Sequence, residues 1–156
     1  MKVLSIAIPS YNSEAYMENC VKSLLVGGDE VEILIVDDGS ADRTAQIADR
    51  LEEKYPGIVR AIHQPNGGHG EGVNQGLRNA RGMYYKVVDS DDWVDVPALK
   101  KALDKLRQFV RDKKLVDMLI CNYVYEHVED NTQRVMHYRN VFPRNKVFGW
   151  EHIGRF

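Results

Sequence analysis

The sequence predicts an α/β fold, a three-layer α/β/α domain built on a mostly parallel central sheet. Over about the first 110 residues, apolar runs rich in β-branched residues alternate with stretches whose apolar residues recur at helical spacing. Each of these apolar runs ends in a polar cluster, and the carboxyl ends of parallel strands are where such sheets bind ligands. The length of 156 residues suits one domain and is too short for two, so we expect a single domain over 1–156.

The apolar runs predict strands at 3–9, 31–36, 58–62, 84–88, 116–121, 123–128 and 135–138. A helix is expected after each of the first four strands, and the third of these helices should span 71–80. Ser13, Ser40 and Asp95 are the expected N-caps of the first, second and fourth helices. The last two strands are expected to pair as a hairpin across 129–131.

Composition excludes several classes of protein. The net charge is −2 at pH 7, so the chain has no basic field that would attract nucleic acid. No apolar run is long enough to span a bilayer. Cys20 and Cys121 stand about a hundred residues apart, which indicates buried, reduced thiols and not a disulfide scaffold. We therefore expect a cytoplasmic protein, in which any membrane association would come through segments outside this chain.

Three carboxylates, Asp89, Asp91 and Asp92, follow the fourth predicted strand directly. Carboxylates this close repel one another, so a fold keeps them only with compensation from solvent, a basic neighbour, a helix N-terminus or a divalent cation. A polar turn with helix caps is the alternative explanation, and it accounts fully for Asp95, which begins a helix with proline in its first turn. Because it does not account for three further acids, we interpret them as an Asp-x-Asp site where Mg²⁺ or Mn²⁺ holds a nucleotide diphosphate.

The polar residues that follow the first three strands are Tyr11 and Asn12, Asp37 and Asp38, and Asn66. The parallel-sheet rule predicts that they meet the three acids at one edge of the sheet. A turn at Gly39 and a cap at Ser40 explain part of the second cluster, but not two adjacent acids. Asp38 is the better functional candidate of the two, because a carboxylate can accept the imide N–H of uracil.

The loop 67–72 is rich in glycine, but it fails the dinucleotide-binding fingerprint because Val73 occupies the third glycine position. No Gly-Lys-Ser/Thr follows, so it is not a P-loop either. Two interpretations stay open: an open approach to a ligand, or a loop that needs unusual backbone dihedrals. The sequence shows no zinc-ligand spacing, and His63, His127 and His137 are expected to be surface or satisfied histidines.

Four segments together resemble the family 2 glycosyltransferases of the GT-A fold: Ile6 to Asn12, Val36 to Thr44, Asn66 to Gly68, and Asp89 to Asp92. Their order and spacing agree with the family as well as the letters do, over about residues 2–112. The resemblance implies a Rossmann-like GT-A domain that binds a nucleotide sugar, most often a UDP-sugar. It also implies transfer of the sugar, with inversion, to a saccharide or lipid-linked acceptor.

By similarity, the residues that bind the nucleotide would be Pro9, Tyr11, Asn12, Asp38, Asn66, Gly68, Asp89 and Ser90. Pro9, Tyr11 and Asp38 would line the base, with Tyr11 stacking on the uracil or bordering it. Asp89 and Asp91 would form the Asp-x-Asp that touches the ribose and a Mn²⁺ or Mg²⁺ ion. Asp92 is an alternative metal ligand, and the sequence leaves the choice between Asp91 and Asp92 open.

The chain departs from the family pattern after the glycine loop. Gly72-Val73-Asn74 stands where the family often has Ala-Arg-Asn, so a phosphate-facing arginine is missing there. Arg78 and Arg81 are the candidates that would replace it.

Family members are longer than this chain, and their catalytic base is a carboxylate in the second half. Glu126, Glu129 and Asp130 match no motif, so no base is assigned and we expect it beyond Phe156. The chain is interpreted as a nucleotide-sugar-binding domain that stops before the acceptor region and is inactive alone.

Two other functions stay open. A sugar nucleotidyltransferase typically carries a basic glycine-rich loop after its first strand, whereas this chain has Pro9-Ser10-Tyr11-Asn12 there. A non-catalytic nucleotide-binding module is favoured, for this chain alone, by the missing base.

Overall fold

The computed structural model describes residues 1–127 and 130–152. The chain forms two compact units, Met1–Arg111 and Asp112–Phe156.

The first unit alternates strands and helices. Its strands are β1 (Leu4–Ser10), β2 (Val31–Asp37), β3 (Val59–His63) and β4 (Tyr84–Val87). Its helices are α1 (Met17–Leu24), α2 (Thr44–Lys54), α3 (His69–Asn79) and α4 (Val96–Arg111), with a 3₁₀ helix at Leu25–Glu30. The strands form one sheet in the order β3-β2-β1-β4, and every pairing is parallel. The predicted α/β fold with a parallel sheet is therefore confirmed for this unit.

β1 and β2 lie at the centre of the sheet, and every residue of both strands is buried. Such strands are covered on both faces, which is why they are continuous apolar runs and not alternating ones. On one face of β1, Ala7 packs against Gly76 of α3. On the other face, Ser10 contacts Met17 of α1. Helices therefore cover both faces of the sheet, as the predicted three layers require.

Glu32, near the start of β2, is a buried charge. The Glu32 carboxylate is 1% exposed and accepts hydrogen bonds from Ser5 Oγ (2.7 Å), the Arg81 backbone N–H (2.5 Å) and Arg60 Nη1 (3.3 Å). Burial pushes the pKa of Glu32 upward, but these hydrogen bonds outweigh it, so the pKa lies below its ordinary value. Glu32 thereby ties β1 and β3 to the α3–β4 connection, toward the amino ends of the strands.

α4 begins where the sequence predicts it. The Ala98 backbone N–H donates to Asp95 Oδ1 at 2.8 Å, so Asp95 caps the helix as expected. The buried stripe of the helix is Leu99, Leu103, Leu106 and Phe109. Among the described residues, no helix has the length and apolarity that crossing a membrane requires.

The two serines predicted as N-caps have other partners. The residue before α1 is Tyr16 and the residue before α2 is Arg43, and neither helix has a side-chain cap. Ser13 and Ser40 lie further upstream, in the loops that follow β1 and β2. The prediction of these caps was wrong, because each serine bonds to a residue distant in sequence.

The second unit contains a hairpin, as predicted. β5 (Tyr123–His127) and β6 (Thr132–Met136) pair antiparallel, and a short 3₁₀ helix follows at Trp150–His152. The second hairpin strand was predicted at 135–138 and begins three positions earlier. Val128 and Glu129, which belong to the predicted strand and turn, lie outside the described residues, as does 153–156.

The strand predicted at 116–121 was wrong. These residues have no regular structure, and Met118 within the segment and Leu115 just before it are 64% and 57% exposed. A run of β-forming residues becomes a strand only where a pleated, half-buried surface receives it. Cys121 is exposed, so the prediction of a buried thiol holds for Cys20 alone; both thiols are unpaired.

Two glycines of α3 provide a test of the helix–sheet contact. A Cβ added at Gly76 would lie 2.4 Å from Ala7 Cβ and 2.8 Å from Tyr85 Oη, whereas a Cβ at Gly70 would meet nothing within 4 Å. We expect Gly76→Ala to lower the free energy of unfolding by about 1–3 kcal/mol through overpacking. Gly70→Ala should raise it by about 0.5–1 kcal/mol, because alanine loses less backbone entropy in a helix.

Urea unfolding of the two variants and the parent chain measures both changes. Equal effects of the two substitutions would contradict the close packing of α3 on β1.

Candidate functional site

An open cleft of about 370 Å³ lies at the carboxyl ends of β1 and β4. Its lining residues are Pro9, Tyr11, Asn12, Ser13, Tyr16, His69, Asp89, Ser90 and Asp91. β4 flanks β1 on one side and β2 flanks it on the other, so the order of strands reverses at β1. The cleft therefore occupies the switch point where parallel sheets bind ligands.

The wall that follows β1 is held by the loop that follows β2 and by the first residue of α2. The Asn12 backbone N–H donates to Ser40 Oγ (3.0 Å), and the Ala41 backbone N–H donates to Asn12 Oδ1 (2.9 Å). The Ser13 backbone N–H donates to Thr44 Oγ1 (2.7 Å). Asn12 has a φ of +49°, a left-handed conformation that asparagine tolerates better than most residues. These hydrogen bonds hold the backbone of the wall in place.

Two tyrosines stand on this wall. Tyr11 is 55% exposed and Tyr16 is 58% exposed, and both line the cleft together with Pro9. Exposed aromatic rings on a fixed backbone offer flat apolar faces at low entropic cost. The predicted Pro9 and Tyr11 are thus brought together, and Tyr16 joins them.

The opposite wall carries the acids that follow β4. Asp89 and Asp91 both line the cleft, and Ser90 Oγ lies 2.8 Å from Ser13 Oγ of the first wall. The Asp92 backbone N–H donates to the Asp89 carbonyl (3.0 Å), which closes a tight turn. Asp92 is not among the lining residues. The turn therefore directs Asp89 and Asp91, and not Asp92, to the cleft.

The acids act on one another and on the thiol beneath them. Burial, followed by the charges of Asp91 and Asp89, raises the pKa of Asp92 above its ordinary value. Cys20 Sγ lies 3.5 Å from the Asp89 carbonyl oxygen. Burial, followed by the nearby carboxylates, raises the pKa of Cys20 to about 12. The Cys20 thiol is therefore an inert packing group under a region of concentrated negative charge.

Asp38 stands behind the cleft and does not line it. It is 4% exposed, and its carboxylate accepts hydrogen bonds from Gln64 Nε2 (2.6 Å), the Gly67 N–H (2.7 Å) and the Gly68 N–H (2.8 Å). Burial pushes the pKa of Asp38 upward, but the three hydrogen bonds outweigh it and leave the pKa below its ordinary value. Asp38 therefore anchors the glycine loop that leads into α3.

Asn66 and Gly68, the other predicted residues of this region, belong to the loop that Asp38 anchors. Gly68 has a φ of +85°, which favours glycine, and precedes the first residue of α3. Asn66 is exposed and packs its backbone against Gly39, where a Cβ would lie 2.9 Å from Asn66 N. Neither Asn66 nor Gly68 lines the cleft. The positive φ of Gly68 agrees with one of the two interpretations of the glycine loop, namely that it needs unusual backbone dihedrals.

Asp37 has a structural partner. It is 4% exposed, and its carboxylate accepts from the Ser40 N–H (3.1 Å) and lies 3.1 Å from His63 Nδ1. His63 Nε2 lies 2.9 Å from Asp49 Oδ1. The hydrogen bond to Asp49 and then that to Asp37 raise the pKa of His63, against the effect of burial. The expectation that His63 is a satisfied histidine is confirmed.

Sequence reasoning missed three residues of the cleft: Ser13, Tyr16 and His69. His69 Nε2 lies 2.9 Å from Asp89 Oδ1, so the start of α3 reaches the acids after β4. The candidate arginines lie elsewhere: Arg78 pairs with Glu71 on α3, and Arg81 is exposed. The one sequence feature that could have indicated a role for His69 in the site was its position in the glycine loop, just before the predicted helix.

No preformed metal cage exists in the described ranges 1–127 and 130–152, since no three His, Cys, Asp or Glu side chains converge there. Asp89 and Asp91 nevertheless supply two exposed carboxylates to one cleft. Oxygen ligands of this kind suit Mg²⁺ or Mn²⁺, and Mg²⁺ typically combines one or two carboxylates with phosphate oxygens and water. The residues present therefore fit a cation that arrives with a phosphate.

Comparison with known proteins supplies the family. The model of the glycosyl transferase family 2 matches residues 5–150, nearly the whole chain. This chain belongs to glycosyl transferase family 2. The resemblance that the four sequence segments indicated is therefore confirmed. The putative glycosyltransferase EpsH of Bacillus subtilis is 37% identical over 125 residues, which cover 79% of this family 2 chain and 34% of EpsH.

Solved structures agree on the fold. A crystal structure of Staphylococcus aureus TarS residues 1–349 in complex with UDP-GlcNAc is similar to this family 2 chain with a TM-score of 0.62 and 33% identity. The match covers 70% of this chain and 32% of the TarS chain. A mannosyltransferase from Pyrobaculum calidifontis, in complex with GDP-Man and Mn²⁺, shares the fold with a TM-score of 0.61 at 22% identity. The family 2 chain thus spans about a third of the length of these proteins, and the predicted GT-A fold is confirmed.

The anchor at Asp38 can be tested by removing its charge. Asp38→Asn places an amide N–H₂ where the carboxylate accepts backbone N–H groups, so one part-buried hydrogen bond is lost and its donor has no partner. We expect the free energy of unfolding to fall by about 1–3 kcal/mol in urea titrations. Asp29→Asn, at an exposed aspartate, is the matched control and should change stability by less than about 0.5 kcal/mol. Equal effects of the two substitutions would contradict the anchor.

The His63 contacts predict a pH dependence of stability. Because the folded pKa of His63 is raised above its unfolded value, its contribution is fully present below the unfolded pKa and is lost as pH rises through the folded pKa. The stability difference between the parent chain and His63→Gln should therefore be larger at about pH 5 than at about pH 8. Urea unfolding at the two pH values measures it, and a difference independent of pH would overturn the assignment.

Proposed function

We propose that this chain is the donor-binding part of a glycosyltransferase that transfers a sugar from a nucleotide diphosphate, a UDP-sugar, to a saccharide or lipid-linked acceptor with inversion. One observation carries the proposal: the ends of β1 and β4 form a single cleft with aromatic residues on one wall and two carboxylates on the other. A nucleotide diphosphate has the matching halves, a flat base and an anionic tail. The UDP-GlcNAc complex of TarS, 33% identical to this chain, supports UDP as the nucleotide.

The base would bind at the wall formed by Pro9 and Tyr11. The ring of Tyr11 is exposed on a loop held by hydrogen bonds at Asn12, so stacking on uracil would cost little ordering. A contact between Asp38 and the uracil imide remains a prediction. The carboxylate oxygens of Asp38 already accept three hydrogen bonds, and each oxygen has two lone pairs.

The diphosphate would bind beside Asp89 and Asp91. Two carboxylates would repel it, so we propose that both hold a Mn²⁺ or Mg²⁺ ion, with Asp91 preferred over Asp92 because Asp91 lines the cleft. Bound there, the ion would supply positive charge against the charge that develops on the departing diphosphate.

In the proposed reaction, an acceptor hydroxyl oxygen forms a bond to the anomeric carbon from the face opposite the diphosphate. The bond from that carbon to the diphosphate oxygen breaks, and UDP carries away the electron pair. A carboxylate base, expected outside this chain, would take the hydroxyl proton. The residues of this chain orient the donor and exclude water from its base.

The acceptor is assigned to a broad class only. The TarS relative is named a poly(ribitol-phosphate) β-N-acetylglucosaminyltransferase, and a chondroitin synthase of Escherichia coli is 38% identical over 107 residues. These names support a role in polysaccharide or surface-polymer biosynthesis. The unpaired thiols of Cys20 and Cys121 suit the reducing cytoplasm, which we propose as the compartment.

Metal dependence of UDP binding tests the proposal. Isothermal titration calorimetry should show UDP binding in the presence of Mn²⁺ and much weaker binding with excess chelator. Asp91→Asn should lower the affinity in Mn²⁺ by about tenfold, or about 1.4 kcal/mol, because it removes one anionic ligand. Asp95→Asn is the matched control, since asparagine caps α4 as well as aspartate does and should leave UDP affinity unchanged.

Equal UDP affinity with and without Mn²⁺ would refute the metal part of the proposal. Absence of UDP binding under both conditions would refute the assignment of the cleft to a uridine nucleotide.

A further inference from the structure

His69 occupies a particular place in the cleft. It is the first residue of α3, its side chain is 64% exposed, and it lines the same cleft as the tyrosines. Its Nε2 atom lies 2.9 Å from Asp89 Oδ1. An ionised carboxylate only accepts hydrogen bonds, so the Nε2 atom carries the hydrogen and His69 is the donor.

The loop anchored by Asp38 determines the position of His69. The Gly67 and Gly68 N–H groups bind the buried Asp38 carboxylate, and Gly68 turns the chain into α3 with its positive φ. His69 follows immediately, so its backbone is fixed from the end of β2. Its side chain then reaches Asp89 at the end of β4.

Asp89 has fixed backbone contacts but little to hold its side chain. Its carbonyl oxygen accepts from the Asp92 N–H and lies 3.5 Å from Cys20 Sγ. Across the described part of the chain, His69 is the residue that hydrogen-bonds the Asp89 carboxylate. A carboxylate with such a neighbour loses rotamer freedom and presents its second oxygen in a defined direction.

We propose that His69 is a positioning residue for the cation-bridged diphosphate of the donor, because it holds the Asp89 carboxylate in the cleft beside Asp91. This inference rests on the proposed function. It extends that function to a residue of the glycine loop, and it links the anchor at Asp38 to the acids after β4. The expected consequence is that His69 contributes to UDP affinity only when the metal ion is present.

Calorimetric titration of UDP in two arms, one with Mn²⁺ and one with excess chelator, tests this consequence. His69→Leu should lower the affinity in Mn²⁺ by about tenfold and leave the affinity in chelator unchanged to within about twofold. His69→Gln, whose amide keeps an N–H donor, should recover most of the loss. His63→Gln is the matched control, because His63 also pairs with carboxylates but lies outside the cleft lining; both arms should match the parent chain.

The two arms separate positioning from a merely structural role. If His69→Leu weakened UDP binding equally in both arms, His69 would be supporting the cleft as a whole and the inference would be overturned. If His69→Leu left the UDP affinity in Mn²⁺ unchanged, the inference would also be overturned. Metal-dependent UDP binding by the parent chain would still support the proposed function in that case. If the parent chain itself showed no metal-dependent UDP binding, the proposed function would fail, and this inference would fail with it.

Discussion

The parallel pairing of β1 with β2 on one side and β4 on the other is the constraint on which the site depends. Parallel strands bring their carboxyl ends to one edge. The connection that leaves β1 runs to β2 while β4 lies on the other side of β1, so a gap opens between the ends of β1 and β4. The cleft lies in that gap. Both central strands are buried on both faces, so their register and direction are determined by core packing and not by the site.

Two pairs of strands have different structural roles at this edge of the sheet. The ends of β1 and β4 and the loops after them, together with His69 at the start of α3, supply the residues that face the cleft. The loops after β2 and β3 supply a support behind it. Asp38 is the centre of this support. A buried carboxylate is costly unless it is well hydrogen-bonded, and here three donors from one loop compensate it. The charge therefore fixes the path of the glycine loop and the start of α3.

Asp38 and Asp92 show how environment separates the pKa values of two acids that follow different strands of one sheet. Hydrogen-bond donors surround Asp38 and lower its pKa, whereas desolvation, followed by the charges of Asp91 and Asp89, raises the pKa of Asp92. The environment of Asp92 leaves the repulsion among the carboxylates of Asp89, Asp91 and Asp92 in place. Under the proposed function, a cation between the Asp89 and Asp91 carboxylates and an anionic ligand would relieve that repulsion, so the region would disfavour a bare diphosphate and favour a metal-bound one.

The sequence by itself determined the elements of the first unit, the α/β class, the cap at Asp95 and the position of the acids at a strand end. These features depend on local periodicity, on turn residues and on the direction of parallel strands. The tertiary structure alone decided that Asp91 faces the cleft and Asp92 does not, that Asp38 supports a loop, and that Tyr16 and His69 join the site. It also decided that residues 116–121 form no strand. The physical reason is distance along the chain: the Ser13–Ser90 contact joins residues 77 positions apart, and no local pattern encodes such a partner.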